Sequence, residues 1–244
     1  MPETLAFTRL LNQLFGGAVA AILQAVGVHP ANLSAPINDT FAMELLVAGG
    51  LIAFFLVVRL TLSVEKPNPA QQIAELIHEF TGSNAEQIIG HGYERFQAFV
   101  TCIFLFVVLN NLLGLIPGIV TPTSQPVVPL GIALLTFFYY NFHGVRELGV
   151  AGYLKQLAGP LWWIAPLLFP IEVISHCARV MSLTIRLYAN MLASDLVTLV
   201  FFSLAPLAIP AIFLGLHFAV ALIQAYVFML LAMIYLSQAV SHEH

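Results

Sequence analysis

From Phe41 to the C-terminus the chain alternates apolar runs of membrane-spanning length with shorter polar stretches. The first run, Phe41–Leu62, carries Glu44 and Arg59 only near its ends, where long side chains reach an aqueous interface. The second, Phe96–Ile116, is uncharged and is stopped by Pro117-Gly118. The third, Val127–Phe142, is short and contains Pro129 and Gly131, which fits a tilted helix or a start a few residues earlier. The fourth and fifth cover residues 164–205 and 211–238, with a turn at Pro206–Pro210 between them. Between the first and second runs the pattern changes. Lys66-Pro67-Asn68-Pro69 opens an acidic stretch in which Ile73, Leu76, Ile77 and Phe80 recur at helical spacing, so residues 70–89 are predicted as an amphipathic helix lying on the membrane surface. The stretch His143–Pro160, with Arg146, Glu147 and Lys155, reads as a polar connection.

The fourth run breaks the lipid-compatible pattern. Ile171–Ala205 has no proline or glycine, yet it carries Glu172, Arg179, Arg186 and Asp195. Charges inside an apolar helix are costly and mark function by default. At about 100° per residue, Glu172, Ser175, Arg179, Ser182, Arg186 and Asn190 fall in one sector roughly 80° wide, and Asp195 lies about 180° from Arg186. This segment would be roughly 50 Å long as a helix, against a hydrocarbon core of about 30 Å, so it must lie strongly inclined.

Composition fixes the class. Of 244 residues 60% are apolar and 8% charged, with a mean hydropathy of +0.93; a soluble domain would carry roughly 25% charged residues. The expected fold is an all-α membrane protein: a single bundle over residues 41–244, with five membrane-crossing helices ending in a long, strongly inclined hairpin, plus the interfacial helix. A β-barrel would show short alternating segments, which are absent. The net charge of −4 argues against a nucleic-acid partner. Cys102 and Cys177 fall in different predicted helices and read as small core residues rather than a disulfide. Residues 1–40 form an N-terminal arm. Its mildly apolar Leu14–Val28 is interrupted by Gly16-Gly17 and lacks a small-residue cleavage site before His29-Pro30, so it is read as an interfacial helix or a buried helical arm rather than a signal peptide. Lysine and arginine flank the first and third loops (Arg59, Lys66, Arg95; Arg146, Lys155), which places those loops in the cytoplasm, the N-terminus outside and the C-terminus inside.

Three motifs carry a resemblance. Ser182-Leu183-Thr184-Ile185-Arg186-Leu187-Tyr188-Ala189-Asn190-Met191 resembles the SLxxRLxxNM signature of subunit a of F-type ATP synthases. Gln224-Ala225-Tyr226-Val227-Phe228-Met229-Leu230-Leu231, with Tyr235-Leu236, is similar to that family's QAxxFxxL closing helix, and Asn111-Leu112-Leu113-Gly114-Leu115-Ile116-Pro117 to its NxxGLIP segment. The likeness covers roughly Phe41 to the C-terminus. It implies a bacterial plasma-membrane stator subunit that conducts protons and performs no chemical catalysis. It also implies a c-ring of carboxylate-bearing subunits, a subunit b stalk and, indirectly, the F1 sector as partners, with no cofactor. Arg186 would be the family's essential arginine, a role suited to a guanidinium, which keeps its charge when desolvated and stabilises an ionised carboxylate opposite it.

Around Arg186 the remaining polar residues divide by membrane level. Asn190, Asp195, His217 and Gln224 read as one hydrated half-channel open to the outside, with His217 and Gln224 seven apart on one helix face and an Asp and a His suited to proton relay. Glu172, Ser175, Arg179 and Ser182 read as a second, cytoplasmic half-channel; a structural Glu172–Arg179 ion pair is the alternative. His176 either lines water or satisfies an interhelical bond, while His78, His91 and His143 read as solvated loop residues. The chain departs from the family in having Ser194-Asp195 where Gly-Glu is common, and Pro122-Thr123-Ser124-Gln125 where many relatives carry an Asp, so which acid serves the outer path there stays open. Neither an HExxH motif nor paired cysteines suggest a metal. The rival classes are a secondary transporter, which calls for an inverted repeat, and an intramembrane enzyme, which calls for a nucleophile and base; neither pattern is visible.

Overall fold

The computed structural model describes residues 5–25, 35–116, 119, 121–158, 163, 165–204 and 208–240. Among these it is all helical: α1 (Ala6–Ala25), α2 (Asp39–Leu60), α3 (Pro69–Ile89), α4 (Glu94–Leu113), a 3-10 turn (Pro122–Ser124), α5 (Val127–Ala158), α6 (Ala165–Leu204) and α7 (Ala208–Val240). Six of the described helices, all but α3, are long and apolar enough to cross a membrane. The sixth beyond the five runs is α1, in the N-terminal arm. It packs Leu11 against Ile37 and Ala42, and Asn12 bonds both backbone groups of Ile37 at 3.0 Å, so it is tied to the approach to α2. Of the sequence-predicted turn at Pro206–Pro210, residues 206 and 207 lie outside the described residues, while 208–210 already belong to the start of α7.

Local chemistry starts the helices where the pattern places them. Asn38 caps α2 by accepting the Phe41 N–H at 2.8 Å, with Asp39 in the first turn and Arg59 in the last, the favourable arrangement for a helix dipole. Pro69 opens α3, where its missing N–H costs nothing. That helix turns Thr81, Gly82 and Ala85 inward and leaves Ile73, Leu76 and Phe80 uncovered. It is held to α4 by a Thr81–Thr101 hydroxyl pair at 2.8 Å and by Gln97 Nε2 donating to the His78 carbonyl at 2.7 Å.

Three expectations are corrected by the packing. The polar stretch after Phe142 is not a loop, because α5 continues to Ala158 with a break at Gly149, whose φ of 71° and ψ of 162° suit glycine alone. The chain reverses there, so that Tyr153 Oη donates to Asn141 Oδ1 at 2.6 Å. His143 is therefore a helical residue packed edge-on against Phe96 at 5.0 Å, and Glu147 pairs with Arg95 from α4. Likewise His78 lies within α3 rather than in a loop, although its side chain is exposed. Finally, Cys102 and Cys177 are free and exposed on helix surfaces rather than in the core; both lie on faces turned away from the packing seams.

α7 is the axis of the bundle. Ala221, Ala225 and Phe228 meet Val107 of α4, Ile132 of α5 and Leu183, Leu187 and Met191 of α6. Further along, Met229, Met233 and Leu236 meet Phe96, Val100 and Tyr140. The fully buried residues of the 40-residue α6 in this core form one Leu183-Leu187-Met191 strip, spaced by four. Most of its remaining surface is left uncovered by the chain.

Candidate functional site

Because leucine and methionine claim one side of α6, the polar stripe falls on its border. Ser182, Arg186 and Asn190 lie beside the buried strip and are exposed. No hydrogen bond or ion pair to the Arg186 guanidinium forms among the described residues. Neither of the acids on its own helix reaches it: Glu172 is engaged elsewhere, and Asp195 points to the opposite side.

One turn beyond Arg186, Asn190 Nδ2 donates to Gln224 Oε1 of α7 at 3.0 Å. These two residues border a cleft of about 380 Å³ between α6 and α7, which Ser194, Thr198, Phe213 and Val220 also line. A second polar group adjoins this cleft through Ser194. Asp195 Oδ1 accepts the Thr121 hydroxyl at 2.8 Å and stands 3.5 Å from His217 Nδ1. The same Nδ1 is 2.9 Å from Ser194 Oγ, while Nε2 is 3.3 Å from the Asn111 carbonyl. A carbonyl only accepts, so neutral His217 carries its proton on Nε2 and offers Nδ1 to the Ser194 hydroxyl. Protonating Nδ1 would turn it into a donor facing Asp195. Asp195 Oδ2 is buried and has no hydrogen-bond partner among the described residues.

Asn111 braces this group. Its Nδ2 donates to the Ala221 carbonyl at 3.2 Å and its Oδ1 accepts from Thr123 at 2.6 Å, joining α4, the 3-10 turn and α7. Gly114 permits the approach: a Cβ there would stand 1.9 Å from Thr121 Oγ1 and 3.0 Å from His217 Nε2. Sequence reasoning did not single out Thr121 and Thr123. The available signal was two hydroxyls in a charge-free Pro/Thr stretch between apolar runs.

Toward the other end of α6, Glu172 Oε1 is 3.5 Å from Arg179 and 3.6 Å from His176 Nε2. The i,i+7 pair left open above thus forms. Arg179 also sits 5.2 Å over the Tyr235 ring, and His176 Nδ1 meets the Tyr140 hydroxyl at 2.8 Å. Ser175 is half-buried near this group. The nine sequence-predicted positions therefore separate into three sets: Asp195 with His217, Asn190 with Gln224 beside Arg186 and Ser182, and Glu172 with Arg179 and Ser175. Among the described residues no group of three or more His, Cys, Asp or Glu side chains converges to hold a metal.

The family model described as ATP synthase A chain matches residues 41–237. The chain is 51% identical over 244 residues, all of both chains, to ATP synthase subunit a of Koribacter versatilis. It is 44% identical to the Solibacter usitatus subunit over 96% of this chain and 100% of that one. Against the Solidesulfovibrio magneticus subunit, identity is 39% over 85% of this chain and 90% of the relative.

Proposed function

The chain belongs to the ATP synthase subunit a family, and from that premise we propose that it is a proton-channel stator in which two half-channels exchange protons with ring carboxylates at Arg186. It is a multi-pass membrane protein with long apolar helices, a component of a membrane complex with other subunits. The observation that carries the reading is a cation on a bare helix face with no hydrogen-bond or ion-pair partner among the described residues. An arginine in an apolar layer is expensive unless something negative meets it, and none of the described residues does so. A ring of subunits each bearing one carboxylate supplies that charge in turn, and the uncovered flank of α6 is the surface such a ring would travel along.

In this reading the Asp195–His217 group forms the outer path, and the cleft at Asn190 and Gln224 brings protons from it to the ring level. Glu172, Ser175, Arg179 and Ser182 form the cytoplasmic path. The five runs from residue 41 cross a bacterial plasma membrane, α3 lies on its surface, the N-terminus is outside and the C-terminus inside, as the lysine and arginine count favours. The chain itself catalyses no reaction; it works against a c-ring, a subunit b stalk and, through them, the F1 sector.

Two tests arise here. Cysteines at positions 182, 186 and 190, introduced one at a time, should cross-link to cysteines on the ring helix, whereas a cysteine at 195 should not. Strong cross-linking at 195 alone would reverse the assignment of faces. Separately, Asp195→Asn keeps the size of the side chain and the acceptor for Thr121 but loses the proton. ATP-driven pumping in membrane vesicles should slow by about tenfold or more with the complex still assembled. Parental rates at every pH would remove Asp195 from the path.

A further inference from the structure

One constellation joining α5 to α6 brings to Glu172 two residues, His176 and Tyr140, that neither path as described includes. The His176 ring lies nearly parallel to that of Tyr140, 5.7 Å apart at 26°, with Nδ1 on the tyrosine hydroxyl and Nε2 facing Glu172 Oε1. Tyr140 is 1% exposed and is braced by Phe137 and Tyr235, so its hydroxyl is a fixed point rather than a mobile contact. We propose that His176 is the proton-holding partner of Glu172 and that Tyr140 is the residue that positions it, an extension that rests on the half-channel reading above.

The chemistry follows from which nitrogen holds the proton. A tyrosine hydroxyl both donates and accepts. When it accepts from Nδ1–H, the free Nε2 lone pair is directed at Glu172. A proton on the Glu172 carboxyl then moves to Nε2, the O–H bond breaking as the N–H bond forms, to leave an imidazolium beside a carboxylate. Reversal returns the proton to Glu172 for release to water or to the ring. The groups beside His176 set the balance: Tyr140 from α5 and Glu172 and Arg179 from α6, with Tyr235 of α7 lying behind them against Tyr140 and Arg179. Arg179 opposes a charge on His176 and competes with it for Glu172 Oε1, whereas the ionised carboxylate attracts that charge. Tyr153 is turned to Asn141 and does not compete.

The test uses the assembled complex in inverted membrane vesicles, with ATP-driven pumping followed between about pH 5.5 and 8.5, the range in which histidine titrates. His176→Gln, which retains a bond to Tyr140 but holds no proton, should lower the rate about three- to tenfold and remove one titration step from the profile. Tyr140→Phe should move that step without removing it. His176→Ala should be partly restored by added imidazole, which a purely structural role would not allow. A parental profile in His176→Gln, or a slow His176→Ala that imidazole leaves unchanged, overturns the proposal. If changes at 176 prevent assembly, Tyr140→Phe decides: an unmoved profile overturns it. The half-channel reading is tested in parallel with Arg186→Ala. Synthesis retained in that variant would remove the reading itself, whereas a parental His176→Gln beside a dead Arg186→Ala would remove only this extension.

Discussion

Arg186→Ala is expected to abolish ATP synthesis and to convert the membrane sector into a passive proton leak. Two half-channels that end at different ring positions stay coupled only if a proton cannot cross directly between them. A fixed cation on the uncovered flank of α6 raises that barrier and draws each arriving carboxylate into its ionised state. One substitution removes both effects. The scale is large: a charged residue at the centre of a membrane helix costs roughly 2.5–3.5 kcal/mol on insertion scales, and a buried opposite charge typically shifts a carboxyl by about 1–3 pKa units. Arg186→Lys should also fail, because an ammonium is shorter, more strongly hydrated and able to lose its proton when desolvated. Since Leu183, Leu187 and Met191 hold α6 to the bundle, neither change should prevent folding. Proton flux through vesicles stripped of the soluble ATPase, beside synthesis in the intact complex, reads both effects. Normal synthesis in either variant would sink the central role of Arg186.

Gly114→Ala should be nearly as severe, although it adds only one uncharged methyl. The new Cβ would meet Thr121 Oγ1 at 1.9 Å and His217 Nε2 at 3.0 Å, so the turn and the histidine cannot both stay. Overpacking of this kind costs about 1–3 kcal/mol, and it acts on the two groups that orient Asp195. Pumping should fall at least about tenfold. Gly131→Ala on α5, where nothing lies within 4 Å, should leave both assembly and pumping unchanged. Adding Thr121→Ala to Gly114→Ala relieves the closest clash without restoring the hydrogen bond, so assembly should recover while pumping stays low. Full pumping in Gly114→Ala would show that the Thr121–Asp195–His217 geometry is irrelevant to transport.

The course of the chain was legible wherever one residue type dominates a helical period. Ile73, Leu76 and Phe80 marked α3 as amphipathic, and the apolar runs marked the long helices, because lipid leaves few alternatives to a helix for such runs. The stripe from Glu172 to Asn190 was visible for the same reason: spacing alone decides which residues share a helix face. The length of α5 was not visible. Its second half is polar, and what holds it are partners remote in sequence, Phe96 against His143 and Arg95 against Glu147.

The sequence by itself determined an all-helical membrane protein, its family motifs and the polar face of α6, since these depend on composition and on periodicity along one strand of chain. Only the tertiary structure decided which polar groups meet. Thr121 reaches Asp195 across 74 positions and Tyr140 reaches His176 across 36. Helical spacing orders residues along an element but carries no information about the partner across it. The same holds for Arg186. Its place on the stripe follows from spacing, but its isolation depends on α5 and α7 packing against the Leu183-Leu187-Met191 strip and stopping short of the guanidinium.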